Sequence, residues 1–136
     1  MTKRITTLAN PHPILGDTTM SERLGYSPAV RAGDLLFIAG QIGIRPDQSV
    51  PDDVSEQSRL AFERLGAILA AEGLGFEHLV ELVSYHVDIQ ENFPAFVAVK
   101  NRYITRDFPT WTGLGVVGLA RPGLMVEIKT IAMFPR

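Results

Sequence analysis

A helical segment enclosed between two apolar strand-type runs constrains the fold of this chain more than any other feature of its sequence. The first run, Leu35–Gly40, is apolar on both faces, as expected of a central strand. The second run, Leu79–Ile89, is rich in the β-branched and aromatic residues that favour strands. Between them, Val54–Ala71 repeats apolar residues at helical spacing. A strand–helix–strand passage predicts a right-handed crossover that joins two parallel strands.

Local signals define the ends of two predicted helices. Asp53 can cap the first turn of the long helix, and Glu56, three residues later, can complete a capping box. Gly73 suits the C-terminal end of this helix. A second helix is predicted over Asn92–Ile104, where Pro94 is compatible with helical structure because it falls in the first turn.

Four further strands are predicted from short apolar runs, with an irregular loop between about residues 9 and 24. They are Arg4–Leu8, Tyr26–Arg31, Trp111–Leu119 and Leu124–Phe134. Gly33 lies in a three-residue connection before Leu35–Gly40, which favours a hairpin. Pro122 and Gly123 suit the central positions of a type II turn, so the last two strands are predicted to form a second hairpin.

Six strands and two helices in this order predict an α+β sandwich. We expect one mixed sheet with both helices packed on one face, and a single domain over residues 1–136. The other face of such a sheet is left uncovered. Because an uncovered apolar face must pack against something, the pattern also predicts an oligomer.

Composition excludes several classes of protein. The 136 residues include no cysteine, which excludes disulfide scaffolds, thiolate metal sites and cysteine nucleophiles. The net charge is −2 and the basic residues form no run, so we expect no nucleic-acid partner. His12, His78 and His86 are scattered, and no metal site is predicted. No apolar run resembles a signal peptide or a membrane span, and we expect a cytoplasmic protein without a membrane partner.

Glu127 is the residue whose position most strongly suggests chemistry. Strand alternation places it with Lys129 on one face and Val126 and Ile128 on the other. A carboxylate within an apolar strand is costly unless it is solvated or paired. Two interpretations remain open: a solvated or lysine-paired glutamate on an edge strand, and a general acid/base whose pKa is raised by apolar neighbours.

A cluster of glycines in a predicted strand is the second unusual feature. Gly113, Gly115 and Gly118 lie within six residues. Glycine weakens a strand, so this cluster indicates close approach by a ligand or by another backbone, or alternatively a bulge or tight subunit packing. Trp111 and Tyr26 would ordinarily be core or interface residues.

Four segments resemble, in family order, the reactive-intermediate deaminase family (RidA/YjgF). They are Tyr26–Gln41, the Glu56–Phe62 part of the long helix, Arg121–Gly123 and Val126–Ala132. The resemblance covers residues 20–134 and implies a chorismate-mutase-like α+β fold. It also implies a homotrimer with three clefts between subunits, which would cover the free sheet face. Deaminases of this family hydrolyse small imine or enamine acids to oxo acids and ammonia without a cofactor.

The resemblance further implies roles for individual residues. Glu127 matches the family glutamate that positions or activates water, and Tyr26 matches a tyrosine that lines the cleft. Gly40 lies in the segment whose backbone contacts substrate. Asn101 falls near a family asparagine on the second helix.

One position departs from the family pattern. Aligned on Phe108 and Pro109, Trp111 stands where the family has an arginine that binds the substrate carboxylate. A guanidinium binds a carboxylate with two hydrogen bonds and an indole cannot, so a substrate that is larger, aromatic or without that carboxylate is indicated. Thr112 and the backbone of Gly113 would supply polar groups at this wall.

The sequence therefore predicts a divergent deaminase of a reactive imine or enamine, with Glu127 as its acid/base group. The alternative is a trimer that binds a small molecule without catalysis, which the missing arginine favours. An endoribonuclease or translation inhibitor is a third possibility, against which the weak basic character counts.

Overall fold

The computed structural model describes residues 2–136 and contains six strands and three helices within that range. Their bounds are β1 (Arg4–Ile5), α1 (Met20–Leu24), β2 (Ala29–Ala32), β3 (Leu35–Ile42), α2 (Val54–Ala71), β4 (Leu79–Val87), α3 (Ile89–Tyr103), β5 (Thr110–Val116) and β6 (Val126–Met133). The strands form one mixed sheet in the order β1-β2-β3-β6-β4-β5. The predicted α+β architecture with a six-stranded mixed sheet is confirmed.

The position of β6 corrects the predicted strand pairing. β6 lies between β3 and β4 and is antiparallel to both, while β5 pairs with β4 in parallel. The predicted β5–β6 hairpin is therefore wrong, although the turn before β6 exists: Gly123 has φ +84° and the Leu124 amide donates to the Arg121 carbonyl at 3.4 Å. The strands β3 and β4 run parallel but are not neighbours, so the predicted parallel pair is also wrong. The turn was predicted correctly because it depends on adjacent residues, whereas the pairing of a strand depends on residues far away in the chain.

The long helix α2 has the predicted bounds because its signals are local. The Asp53 carboxylate accepts a hydrogen bond from the Glu56 amide at 2.9 Å, as an N-cap should. The capping box is not completed, since the Glu56 side chain pairs with Arg59 instead. The predicted apolar stripe, which includes Leu65 and Ile68, is buried against the sheet.

Three local predictions are corrected by the structure. The segment before residue 25 contains α1, and β1 is shorter than predicted. Helix α3 begins at Ile89, earlier than predicted, and follows Asp88 in a left-handed conformation with φ +49°. Pro94 consequently falls in the second turn rather than the first. Since proline has no amide hydrogen, the Gln90 carbonyl loses its helical partner there.

Only one face of the sheet is covered. Helices α2 and α3 pack on the face that carries Leu36, Leu82 and Ile128, where the core lies. The opposite face, called here the open face, presents Phe37, Leu114 and Met133 as exposed apolar side chains. Glu127 is on this open face, as strand alternation predicts. Among residues 2–136, no helix has the length and apolar character needed to cross a membrane.

Candidate active site

Glu127 stands at an irregularity of the sheet. It is the second residue of β6, opposite Ile42 on β3 and Tyr85 on β4. The β3–β6 register shifts between Ile38 and Gln41, and this bulge brings the backbone of Gly40 against the carboxylate. A Cβ at residue 40 would come closer to the Glu127 carboxylate than van der Waals contact allows. Glycine therefore lets the backbone approach the carboxylate in its present position.

The environment of Glu127 alters its acidity. The side chain is half-buried, and this burial raises the pKa of its carboxyl above the ordinary value of 4.5. It forms no hydrogen bond or ion pair among the side chains described here. A carboxylate that is partly desolvated and unpaired is a stronger base than one in water. The interpretation of Glu127 as a lysine-paired residue is thus not supported, and β6 is not an edge strand.

A cavity of about 450 Å³ brings three of the predicted site residues together. Glu127, Gly40 and Tyr26 all line it. The cavity lies beside the part of β3 that continues beyond its ladder with β2, and the bulge at Gly40 is part of its wall. Tyr26 is 49% exposed at this opening. The volume is within the range of small-molecule sites, roughly 300–1,000 Å³.

The structure adds three charged residues to this cavity that sequence reasoning did not assign to it. They are Asp17, Arg64 and Arg121. Arg121 donates to the Gln48 carbonyl at 2.8 Å, and Asp17 accepts from Thr19 and Arg23. Arg64 had one signal in the sequence: with Ala61, Leu65 and Ile68 it occupies the apolar side of α2, where a charge is unexpected.

Trp111 does not line this cavity. Its indole stacks on Phe93 with a centroid separation of 5.4 Å, and its Nε1 donates to the Ser84 hydroxyl at 2.9 Å. Lys100 lies over the ring at 4.8 Å. These contacts place Trp111 on the helix-covered side of β5, with Leu82 as its strand neighbour. Its role as a substrate contact stays a prediction.

Gly113, Thr112 and Asn101 also lie outside the cavity of their own chain. A Cβ at Gly113 would approach the Phe93 ring to 2.9 Å, and one at Gly115 would approach Ile89 to 3.0 Å. These two glycines accommodate side chains of α3, whereas a Cβ at Gly118 would meet no atom within 4 Å. Thr112 is exposed on the open face, and Asn101 is exposed on α3.

The histidines take structural positions. His86 is fully buried, with Nε2 at 2.7 Å from the Ser84 hydroxyl, and burial lowers the pKa of its imidazole. His12 and His78 each accept backbone hydrogen bonds within their own loops. In the part of the chain that the structure covers, no group of three His, Asp or Glu residues is arranged to hold a metal ion.

Comparison with known proteins agrees with this geometry. The family model described as Endoribonuclease L-PSP matches residues 18–134. The RutC family protein YjgH of Escherichia coli is 43% identical over 111 residues, covering 81% of this chain and 83% of that protein. The 2-iminobutanoate/2-iminopropanoate deaminase of Capra hircus is 34% identical over 110 residues, covering 79% of each chain.

A solved structure shows the same fold. The structure of protein YjgH superposes with a TM-score of 0.79 at 40% identity, covering 89% of this chain and 91% of that one. The matched residues include the cavity residues Tyr26, Gly40 and Glu127 within the range of the family model. The chain therefore belongs to the Endoribonuclease L-PSP family, which is the RidA/YjgF family that its sequence resembles.

Proposed function

We propose that this protein is a hydrolytic deaminase that converts a reactive imine or enamine to a carbonyl compound and ammonia. The observation that carries the proposal is the Glu127 carboxylate, unpaired and half-buried beside the backbone of Gly40 in a cavity of small-molecule size. A relative of 34% identity is named for deamination of 2-iminobutanoate and 2-iminopropanoate, which supports the reaction type.

The proposed chemistry needs one group that can accept and return a proton. Glu127 takes a proton from water as the oxygen bonds to the imine carbon, and it returns this proton to the nitrogen, giving a carbinolamine. It then takes the hydroxyl proton and delivers it to the amino group as the C–N bond breaks. The products are a carbonyl compound and ammonia. Since no electrons are transferred, the reaction needs no redox cofactor.

Ammonia release tests this proposal against the endoribonuclease activity in the family's description. Imines are generated in the assay from amino acids by an amino-acid oxidase, and ammonia is measured with and without this protein. We expect the protein to accelerate ammonia release, and a single-stranded RNA incubated in parallel to stay intact. RNA cleavage without acceleration for any imine would overturn the proposal, and binding without either activity would favour the non-catalytic alternative.

The contact between Gly40 and Glu127 gives a second prediction. Gly40→Ala places a Cβ too close to the carboxylate, so the flexible end of Glu127 must move by about 1 Å, a displacement that matters for catalysis. A misplacement of this size lowers catalytic rates by up to about 10²-fold. We expect kcat/KM to fall by roughly 10- to 100-fold while the melting temperature stays within a few degrees.

The matched control is Gly118→Ala, because no atom lies within 4 Å of a Cβ at that position. This variant should keep both activity and stability. Equal losses of kcat/KM in the two variants would show that the Gly40 backbone has no special relation to Glu127.

The open face supports a further proposal, that the protein assembles as a homotrimer with clefts between subunits. Phe37, Leu114 and Met133 are exposed there, and exposed apolar side chains on one face of a sheet suit an interface between protein chains. Glu127 and Thr112 lie on this same face, so assembly could bring Thr112 of one copy toward Glu127 of another.

Light scattering at micromolar concentration should then give a mass of about 45 kDa, three times the 15.0 kDa of the chain. Phe37→Glu, which places a charge on the open face, should lower this mass. A wild-type mass near 15.0 kDa would contradict the trimer and its clefts.

A further inference from the structure

The cavity beside Glu127 contains a guanidinium that the chain itself does not neutralise. Arg64 enters from α2, and its Nη1 donates to the Leu15 carbonyl at 3.2 Å. Its Nε is buried and has no hydrogen-bond partner. Within residues 2–136, no carboxylate lies at ion-pair distance from it. Since guanidinium stays charged at physiological pH, withdrawing it from water without a counter-charge is costly.

The other charged groups of the cavity do not supply this counter-charge. Asp17 accepts hydrogen bonds from Thr19 and Arg23. For Glu127, burial alone raises the pKa of the carboxyl, and no neighbouring cation opposes it. Burial likewise lowers the pKa of the Arg64 guanidinium, with Tyr26 as the neighbour that acts in the other direction. Arg64 and Glu127 therefore share a cavity without forming a pair.

The free edge of Arg64 has the geometry of a carboxylate receptor. Nη1 is occupied by the Leu15 carbonyl, whereas Nε and Nη2, which project from the same edge, have no acceptor. Two parallel donors match the two oxygens of one carboxylate. Nε is closed to solvent, so the side chain must rotate before Nε and Nη2 can both donate to one carboxylate.

The rest of the lining restricts what is attached to this carboxylate. The cavity wall is mainly apolar and includes Leu15, Met20, Leu24, Ile42 and Ile68. An apolar wall with few polar groups binds a ligand that is itself mostly apolar. A phosphate ester, which carries more charge and needs more donors, is a poorer match to a single free guanidinium edge.

We propose that Arg64 binds the carboxylate of the substrate, which is an imine or enamine acid with an apolar substituent. The anchor then comes from α2 instead of residue 111, where the sequence resemblance places it. This inference rests on the proposed function and specifies its substrate class. Under this proposal the protein has a carboxylate-binding arginine although residue 111 is a tryptophan.

Calorimetric binding tests the assignment without requiring turnover. The probes are 2-oxobutanoate, the uncharged 2-oxobutanamide and inorganic phosphate. We expect wild type to bind 2-oxobutanoate at least tenfold more tightly than the amide or phosphate. Arg64→Gln should weaken 2-oxobutanoate binding by about 10- to 100-fold, the effect of losing a charge-assisted bidentate contact. Arg64→Lys keeps the positive charge but not the pair of parallel donors, so its affinity for 2-oxobutanoate should lie between those of wild type and Arg64→Gln.

Two control variants separate the possible outcomes. Arg59→Gln makes the same change on α2 at an exposed residue paired with Glu56, and it should leave binding unchanged. Glu127→Gln should retain 2-oxobutanoate binding while losing ammonia release. Unchanged binding in Arg64→Gln, or loss only in Arg121→Gln, would overturn the role of Arg64, whatever the ammonia assay shows. Equally tight, Arg64-dependent binding of phosphate would overturn the carboxylate assignment. If carboxylate binding depends on Arg64 but no imine is hydrolysed, the proposed deaminase function fails while the Arg64 site stands.

Discussion

Glu127→Gln is expected to lower kcat for ammonia release by about 10²–10⁴-fold, the usual contribution of general acid–base catalysis. Glutamine has nearly the same volume as glutamate and fits the same space beside Gly40. It cannot take a proton from water, so the chemical step loses its base. The acidic limb of the kcat/KM profile of the wild type should lie above pH 4.5, because burial raises the pKa of this carboxyl, and it should be absent from the variant.

The same substitution should not destabilise the fold. A carboxyl whose pKa is raised by folding makes a contribution to stability that is fully present below its unfolded pKa and is lost as the pH rises through the folded pKa. At pH 7 glutamine removes the cost of a half-buried charge, so the melting temperature of Glu127→Gln should equal or exceed that of wild type. The difference should shrink as the pH falls and vanish well below pH 4.5, where the carboxyl is neutral in both states.

Glu81→Gln is the matched control, since Glu81 is partly buried on β4 and pairs with Ile131 of β6 but does not line the cavity. It should keep full activity. If Glu127→Gln and Glu81→Gln both release ammonia at the wild-type rate, Glu127 has no catalytic role.

Gln57→Leu should be the most destabilising single change considered for this protein. The Gln57 amide group donates to the carbonyls of Pro51 and Gly123 at 2.9 and 2.8 Å and accepts from the Met125 amide at 2.8 Å. Gln57 is fully buried, and leucine leaves these three backbone groups without a side-chain partner. Pro51 is buried, whereas Gly123 is exposed and Met125 partly buried. Because an unsatisfied buried group costs about 1–3 kcal/mol and a solvated one less, the free energy of unfolding should fall by about 2 kcal/mol or more.

Ser58→Ala is the control for this change, because Ser58 is adjacent and equally buried. Its hydroxyl donates only to the Val54 carbonyl of its own helix, and its loss should cost about 1 kcal/mol or less. Chemical denaturation measures both values, and hydrogen exchange of the Met125 amide should accelerate only in Gln57→Leu. Similar losses of stability in the two variants would contradict the role of Gln57 as the link between α2 and the start of β6.

Glu127 and Gln57 show how far the role of a residue can be predicted from the sequence. The position of Glu127 on one face of its strand follows from alternation, which is local and needs no knowledge of neighbours. The family resemblance associated it with Tyr26 and Gly40, and the structure places all three in one cavity. The structural role of Gln57 could not be predicted from the sequence. Polar residues are common in the first turn of an amphipathic helix, and only the structure shows which backbone groups this side chain binds.

The surroundings of Trp111 and Arg64 depend on tertiary structure and do not follow from the residues alone. The parallel register of β5 with β4 places Trp111 beside Leu82, on the helix-covered side, and a shift of one residue would reverse every side chain of the strand. Arg64 occupies the apolar side of α2, which marks it as unusual in the sequence but does not show what it contacts. Only the packing of α2 against the segment that contains Leu15 gives this guanidinium a cavity.

The sequence by itself determined the elements whose signals are local. The bounds of α2, its Asp53 cap, the hairpin of β2 with β3 and the face of β6 that carries Glu127 all follow from periodicity and turn chemistry. The tertiary structure alone decided that β6 enters between β3 and β4. Strand pairing joins residues far apart in the chain, and local propensities do not distinguish a central position from a hairpin with the preceding strand. That insertion sets Glu127 against the bulge at Gly40, and packing of α2 places Arg64 in the same cavity.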